Sequence, residues 1–276
     1  MKSYITTVQK ISASPITLGE ALILMSKLPL EKVEDAAKKG AVWIQKRSQG
    51  KILKIRNIHE HVKPEDKISF YYEPRILSLP EVRSSECLFE DKNFGVWYKD
   101  VGVVSQGTQT GDHTSLLRYV EKKTRKEVFL VHRLDRETDG LMIIAYNGKA
   151  AGVLGDLFQK HLVKKTYQAI VKGTLTPGKT DTITHALEDK EAITHYKVLD
   201  STESMSLLEV TIETGRLHQI RRHLDAIGFP VMGDPKYGQG NKNRDGLKLL
   251  AKSLDFQDPW SRNHHHFEVS KNLTLQ

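Results

Sequence analysis

Apolar positions recur with helical spacing in some stretches of the chain and alternate with polar ones in others. Leu18, Leu22 and Met25 share one face of a helix predicted over residues 17–27, and Pro29 breaks it. Leu30, Val33 and Ala37 repeat the pattern over residues 30–39, with Gly40 as the stop. Residues 41–45 alternate as a strand, 46–50 form a turn, and 51–56 give a second strand. Residues 62–66 turn into a last strand over 67–72. Residues 1–14 read as a polar extension. Pro74, Pro80 and the run 79–85 read as a linker, with a domain boundary near residue 80.

Beyond that boundary, residues 87–99 alternate loosely, and 115–127 begin as a helix and end as a basic loop. A polar run from residue 131 passes into an apolar strand over 141–146. Asn147-Gly148 reads as a turn. Val153, Leu154, Leu157 and Phe158 mark a helix, and residues 164–173, 196–200 and 207–213 read as strands. Leu217, Ile220, Leu224 and Ile227 form one apolar helix face with Arg221 at its edge. A half-buried arginine needs a carboxylate or phosphate partner, or else reaches out to water. Asp135 is an available partner.

The chain has 276 residues, enough for one large or two small domains. Its formal net charge is +8. Excess lysine and arginine favours a polyanionic partner, nucleic acid first, over a merely solvated basic surface. Cys87 is the one cysteine, which excludes an intrachain disulfide and a cysteine-based zinc site and fits a reducing compartment. No signal-like apolar core opens the sequence, and no apolar run approaches the roughly 20 residues of a membrane span. A soluble cytoplasmic protein is expected, with monomer as the default.

The polar run 131–140 holds the strongest candidate chemistry. Asp135 has Arg133 and Arg136 as near neighbours, and nearby cations favour the ionised carboxylate. A held carboxylate can act as a nucleophile or an electrostatic stabiliser, or only shape a salt-bridged turn. Residues 173–180 match the phosphate-binding pattern G-x-x-x-x-G-K-T letter for letter. That loop works only when a helix follows it, and residues 181–187 are β-branched and alternating, so nucleotide binding is not expected. His264, His265 and His266 are adjacent and share no face, so a surface or RNA-facing run is expected rather than a metal site.

Residues 132–140, His-Arg-Leu-Asp-Arg-Glu-Thr-Asp-Gly, resemble the His-Arg-Leu-Asp-x-x-Thr-Ser-Gly signature of the RluA-type pseudouridine synthases, with Asp139 where Ser is usual. Lys99 and Gly102 match that family's Lys-Pro-x-Gly, with Asp100 for Pro. Lys165, Tyr167, Ala169 and Gly173 match Lys-x-Tyr-x-Ala-x-x-x-Gly. Thr214-Gly215-Arg216, His218-Gln219-Ile220-Arg221, Gly228-Phe229-Pro230 and residues 233–238 match the later motifs. Leu217, Leu250 and Asp258 depart from the usual Thr, His and His. The helix–turn–helix–strand order of the first seventy residues resembles an S4-type RNA-binding domain, with Gly40-Ala41-Val42 and Lys63-Pro64-Glu65-Asp66 in its characteristic places.

The resemblance implies an extension (1–14), an S4-like RNA-binding domain (15–75), a linker (76–84) and a catalytic domain (85–276). The implied fold is α+β, a mixed, largely antiparallel sheet with flanking helices. The implied reaction isomerises uridine in RNA, with ribosomal RNA the leading substrate and transfer RNA the other. Asp135 would begin it, Arg221 would pair with Asp135, and Tyr167 would accept the C5 proton. Arg133, Ile220, His132, Lys165, Arg216 and His218 would face the substrate. Lys38, Lys39, Lys46, Arg47 and Lys51, with Lys54 and Arg56, would hold phosphates on the S4-like surface. No metal or organic cofactor is implied. The alternative is a non-catalytic RNA-binding or ribosome-assembly protein that retains the fold.

Overall fold

The computed structural model describes residues 4–7 (backbone alone), 16–46, 50–63 and 65–275. The chain separates into two compact units. The first comprises residues 1–83 and 106–123, the second residues 84–105 and 124–276.

In the first unit β1 (Tyr4–Thr7) and β2 (Ile16–Thr17) precede α1 (Leu18–Ser26) and α2 (Leu30–Lys38). Strands β3 (Val42–Gln45), β4 (Ile52–Lys54), β5 (His61–Val62) and β6 (Lys67–Tyr72) follow, then α3 (Pro74–Leu77). Thr17 and Glu20 close a reciprocal capping box that starts α1. The main sheet runs β1-β6-β3-β4, and β2 pairs with β5. Leu18, Leu22, Val33, Ala37, Ile44 and Phe70 fill the core between helices and sheet. Residues 4–7 are therefore strand and not extension. Tyr-Ile-Thr-Thr favours extended backbone, and β6 otherwise has an open edge whose amides and carbonyls need partners.

Part of the expected linker also belongs to this unit. Pro74 opens α3, and Leu77 is buried in the core. The Leu79 carbonyl contacts the His113 ring at 3.1 Å, and the Val82 amide donates to the His113 carbonyl. The second departure is residues 106–123, expected in the later domain. Their anchor is Asp112, whose Oδ2 accepts Lys54 Nζ and Arg56 Nη2, each at 2.6 Å. The Asp112 amide donates to the Lys39 carbonyl, and α4 (Leu116–Thr124) follows. Gly40, at φ +86°, leaves room for that carboxylate, since a Cβ there would lie 2.7 Å from Asp112 Oδ1.

This anchor changes the expected basic surface. Lys54 and Arg56 are paired with Asp112, and Lys39 Nζ is held by Asp35 and the Leu77 carbonyl. Lys38 and Lys51 are exposed, Lys38 beside Glu34 at 2.7 Å, and Lys46 is half-buried. Arg47 lies outside the described residues. Burial alone would raise the Asp112 carboxyl, but the hydrogen bonds from Arg56 and Lys54 outweigh it and hold it below the ordinary carboxylate range. Its stabilising contribution is present above the unfolded value and is lost as pH falls through the folded one. Asp112→Asn is expected to weaken this unit by about 2 kcal/mol, since two charged donors lose their acceptor charge. Hydrogen exchange of the β3 amides checks this: they should exchange roughly 30-fold faster.

The second unit is built on one ten-stranded sheet. Its elements in chain order are β7 (Cys87–Glu90), β8 (Phe94–Lys99), β9 (Phe129–Leu130), β10 (Asp139–Ala145), α5 (Gly148–Gln159) and β11 (Lys164–Lys172). There follow β12 (Thr180–Ile183), β13 (Thr194–Ser201), β14 (Met205–Ile212), α6 (Gln219–Ala226), β15 (Leu249–Gln257) and β16 (His264–Glu268). The order is β12-β13-β14-β11-β15-β10-β8-β7, with β9 on β10 and β16 on β15. Every pairing is antiparallel except β10 with β15. All seven residues of β10 are buried, so the strand carrying the candidate loop is fixed on both faces. Gly140, at φ +121°, sits where β10 runs beside β15; a Cβ would lie 2.2 Å from the Ala251 carbonyl oxygen.

Two local readings change. Asn147-Gly148 starts α5 rather than closing a turn, because Asn147 Oδ1 caps the Ala150 amide at 2.8 Å. Leu217 lies ahead of α6 and is 61% exposed, so the apolar face of that helix rests on Ile220 and Leu224. The phosphate-loop pattern ends in β12, a strand as expected, and not in a helix. His266 on β16 contacts Asp255 at 2.6 Å and Glu268 at 3.3 Å. The hydrogen bond with Asp255, then that with Glu268, raises its imidazole pKa. That stabilisation is full below the unfolded value and is lost as pH rises through the folded one. Wild type should therefore lose more thermal stability than His266→Gln between pH 6 and pH 8. Among the described residues no helix is long and apolar enough to cross a membrane.

Candidate active site

The loop between β9 and β10 carries Asp135, and the backbone on either side of it is pinned. Leu134 is buried; its amide donates to Ser105 Oγ at 3.0 Å, and its carbonyl accepts the Ser105 hydroxyl at 2.7 Å. The Arg136 carbonyl accepts the Gly102 amide at 2.8 Å and lies 3.4 Å from Lys99 Nζ. Lys99 is fully buried at the end of β8 and also donates to the Asp100 and Val103 carbonyls. It ties two loops to one ammonium. Burial lowers its pKa to about 8, against the upward pull of Asp139, Asp135 and Glu137.

The sign of that shift gives a test. Between pH 8 and the ordinary lysine range near 10.4, the unfolded chain binds the proton that the folded chain has released. The Lys99 contribution to stability therefore rises with pH across this window. Turnover is expected to fall over the same range, because the loops lose an N–H donor. A stability profile and a rate profile that move together above pH 8 would contradict this.

Arg221 organises the carboxylates. It projects from α6 and is only 2% exposed. Its Nη1 donates to Asp135 Oδ2 at 3.0 Å. Its Nε and Nη2 grip Asp234 at 2.6 and 2.8 Å, a two-pronged pairing that fixes the plane of the guanidinium. Asp234 is fully buried and also accepts the Lys236 and Tyr237 amides. The Tyr237 ring lies 5.3 Å from the guanidinium carbon. Burial would strip charge from Arg221, but the hydrogen bonds with Asp234 and Asp135 more than restore it and raise its pKa. The other Asp135 oxygen, Oδ1, lies 3.8 Å from His218 Nε2. His218 stands at φ +53° ahead of α6, with Nδ1 at 3.0 Å from the Tyr237 hydroxyl.

Tyr167 lies on the central strand β11, between β14 and β15. The β11–β15 register slips between Thr166 and Tyr167, the kind of bulge by which sheets re-aim a side chain. Burial, then the charge of Asp135, pushes the Tyr167 phenol up, so it is neutral at ordinary pH. Ile220 is buried on α6. Lys165 is buried on β11, and burial lowers its ammonium pKa. Arg133 is exposed.

Two expected substrate contacts are engaged elsewhere. His132 Nε2 accepts the Ile143 amide at 2.9 Å, and its ring stacks on Phe158 at 4.4 Å. Burial, then the Lys165 charge, lowers the imidazole to about 3, so it serves the loop as a neutral acceptor. Arg216 is exposed, with Nε on the Glu191 carbonyl at 2.9 Å.

Sequence reasoning did not assign Asp234, Tyr237, Lys99 or Ser105 to the site. Asp234 had a signal, since a buried guanidinium has more N–H groups than Asp135 alone can accept. Asp139, the departure from the usual Ser, is buried and accepts the Tyr98 hydroxyl at 2.6 Å and Lys271 Nζ at 2.5 Å. Its extra charge therefore has partners of its own.

A model of the family described as RNA pseudouridylate synthase matches residues 93–226. The uncharacterized RNA pseudouridine synthase YhcT of Bacillus subtilis (strain 168) is 35% identical over 202 residues, 66% of this chain and 67% of that protein. The chain belongs to the RNA pseudouridine synthase family. Synthases of this family are isomerases, and the matched span contains Asp135, Tyr167 and Arg221 but stops short of Asp234 and Tyr237. The ribosomal large subunit pseudouridine synthase D of Buchnera aphidicola subsp. Schizaphis graminum (strain Sg) is 32% identical over 192 residues, 63% of this chain and 61% of that one. A solved human structure, RNA Pseudouridylate Synthase Domain Containing 4, superposes with a TM-score of 0.55 at 26% identity, covering 67% of this synthase and 87% of that chain. Among the described residues no group of three or more His, Cys, Asp or Glu could hold a metal ion.

Proposed function

We propose that this synthase isomerises uridines of ribosomal RNA and that Asp135 starts the reaction. The observation that carries the reading is the Asp135 carboxylate: Oδ2 is bound by the buried Arg221, and among the described residues Oδ1 has no partner closer than His218 at 3.8 Å. The choice of ribosomal RNA is supported by the name of the Buchnera relative. Transfer RNA is the competing substrate.

The uridine leaves its stack and enters the site, and Arg133, exposed on the Asp135 loop, enters the vacated space. Asp135 Oδ1 either attacks C1′ or promotes loss of the 2′ proton, and the C1′–N1 bond breaks. The base turns against Ile220 and rejoins C1′ through C5; on the first route this breaks the C1′–Oδ1 bond and frees the carboxylate, and on the second the proton taken by Asp135 returns to C2′. The C5 proton leaves, and a proton returns to N1, so the atoms balance without a co-substrate. Tyr167 is neutral, so it takes the C5 proton only while handing on its own phenolic proton, directly or through water. The first unit serves as the S4-type module, with Lys38, Lys46 and Lys51 attracting phosphates. The synthase works in the cytoplasm as a monomer.

Position-resolved pseudouridine mapping of total RNA tests this, in cells with and without the gene, complemented by wild type or Asp135→Ala. A ribosomal position restored only by wild type is the expected result. No change at any ribosomal or transfer RNA position would put the non-catalytic RNA-binding reading first.

A further inference from the structure

An open cleft of about 580 Å³ lies on the second unit, lined by Lys172, Asp225, Pro230, Lys236 and Tyr237 among others. Tyr237 connects it to the chemistry. Its ring lies against Arg221 and its hydroxyl meets His218, and both of those residues face Asp135. Lys236 Nζ stands 5.2 Å from the centre of the same ring. Lys172 Nζ holds the Gln239 carbonyl at 3.1 Å. Among the described residues neither lysine forms an ion pair, whereas Lys54 and Arg56 of the first unit share Asp112. An ammonium has three donors, and each of these lysines has donors to spare.

The rest of the lining fits a sugar–phosphate backbone. Gly228 has open space where a Cβ would stand, so a strand can lie close to the main chain there. Asp225 is the one carboxylate in the lining; it repels a phosphate and accepts from a hydroxyl. A ribose 2′-hydroxyl is such a donor, and it is the group that separates RNA from DNA.

We propose that Lys172 and Lys236 bind a phosphodiester of the substrate RNA flanking the flipped uridine, with Asp225 receiving a ribose 2′-hydroxyl beside it. This rests on the synthase reading above. The test uses full-length wild type, Lys172→Gln and Lys172→Gln/Lys236→Gln, with a transcribed ribosomal RNA fragment containing the mapped position. KM and the equilibrium affinity are measured from 50 to 200 mM KCl, the affinity in an Asp135→Asn background.

The double variant is expected to raise KM roughly tenfold and to reduce the slope of log affinity against log salt by about two. Lys172→Arg should restore most of the single variant's loss. Asp225→Ala should narrow the preference for ribose over deoxyribose in the nucleotide next to the target. An unchanged KM and salt slope in an active enzyme would overturn the proposal. A wild type that converts no uridine sinks the functional reading instead, and the binding slope still decides the lysines.

Discussion

Asp135→Asn is expected to lower single-turnover conversion by at least about a thousandfold while RNA affinity stays within about twofold. The substitution keeps the size of the side chain and an oxygen for Arg221 Nη1, so the loop braced by Ser105, Lys99 and Gly102 has no reason to move. What disappears is the charge on Oδ1, the oxygen that would act on the sugar. Conversion within tenfold of wild type would remove Asp135 from the mechanism. A matching loss of RNA affinity would place it in binding.

Arg221→Met should have the largest effect on stability. Asp234 is fully buried and owes its charge partner to Arg221. Breaking such a pair from one side leaves an uncompensated carboxylate, at roughly 3–5 kcal/mol. For a unit of this size that corresponds to a fall in Tm of about 10 °C. Arg221→Met/Asp234→Leu removes both partners and should recover most of the lost stability. It should not recover turnover, because Asp135 would still lack the donor that orients it. Thermal melts and single-turnover rates on both variants check the two halves separately. A single variant that melts within 2 °C of wild type would mean that Asp234 finds another partner.

How far the site could be read from sequence depends on how local its contacts are. The helix opened by Thr17, the stop at Gly40 and the strand character of residues 164–173 depend on near neighbours, and they were legible. A partner for Arg221 was one of two readings of its place at the edge of an apolar helix face; the other, a side chain reaching out to water, is excluded by its 2% exposure. The second acid, Asp234, lay in a recognised motif at residues 233–238, but nothing local says that it folds back on α6. The placement of residues 106–123 was hidden for the same reason. Asp112 meets Lys54 and Arg56 across more than fifty residues, and a charge run on a strand looks alike whether it faces solvent or a buried carboxylate. His132 was expected at the substrate from the motif that it opens, and nothing local shows that its Nε2 accepts the Ile143 amide of β10.

The Arg221–Asp135 contact bridges 86 residues, and Asp234 follows Arg221 by a further 13. A chain emerging from a ribosome therefore exposes the Asp135 loop well before the groups that orient it have been made. At synthesis rates of about 5–20 residues per second, that interval lasts some 5–20 seconds. During it Asp135 has no Arg221 to hold its carboxylate. The order of the residues along the gene thus delays assembly of the Asp135–Arg221–Asp234 cluster until the second unit is almost complete.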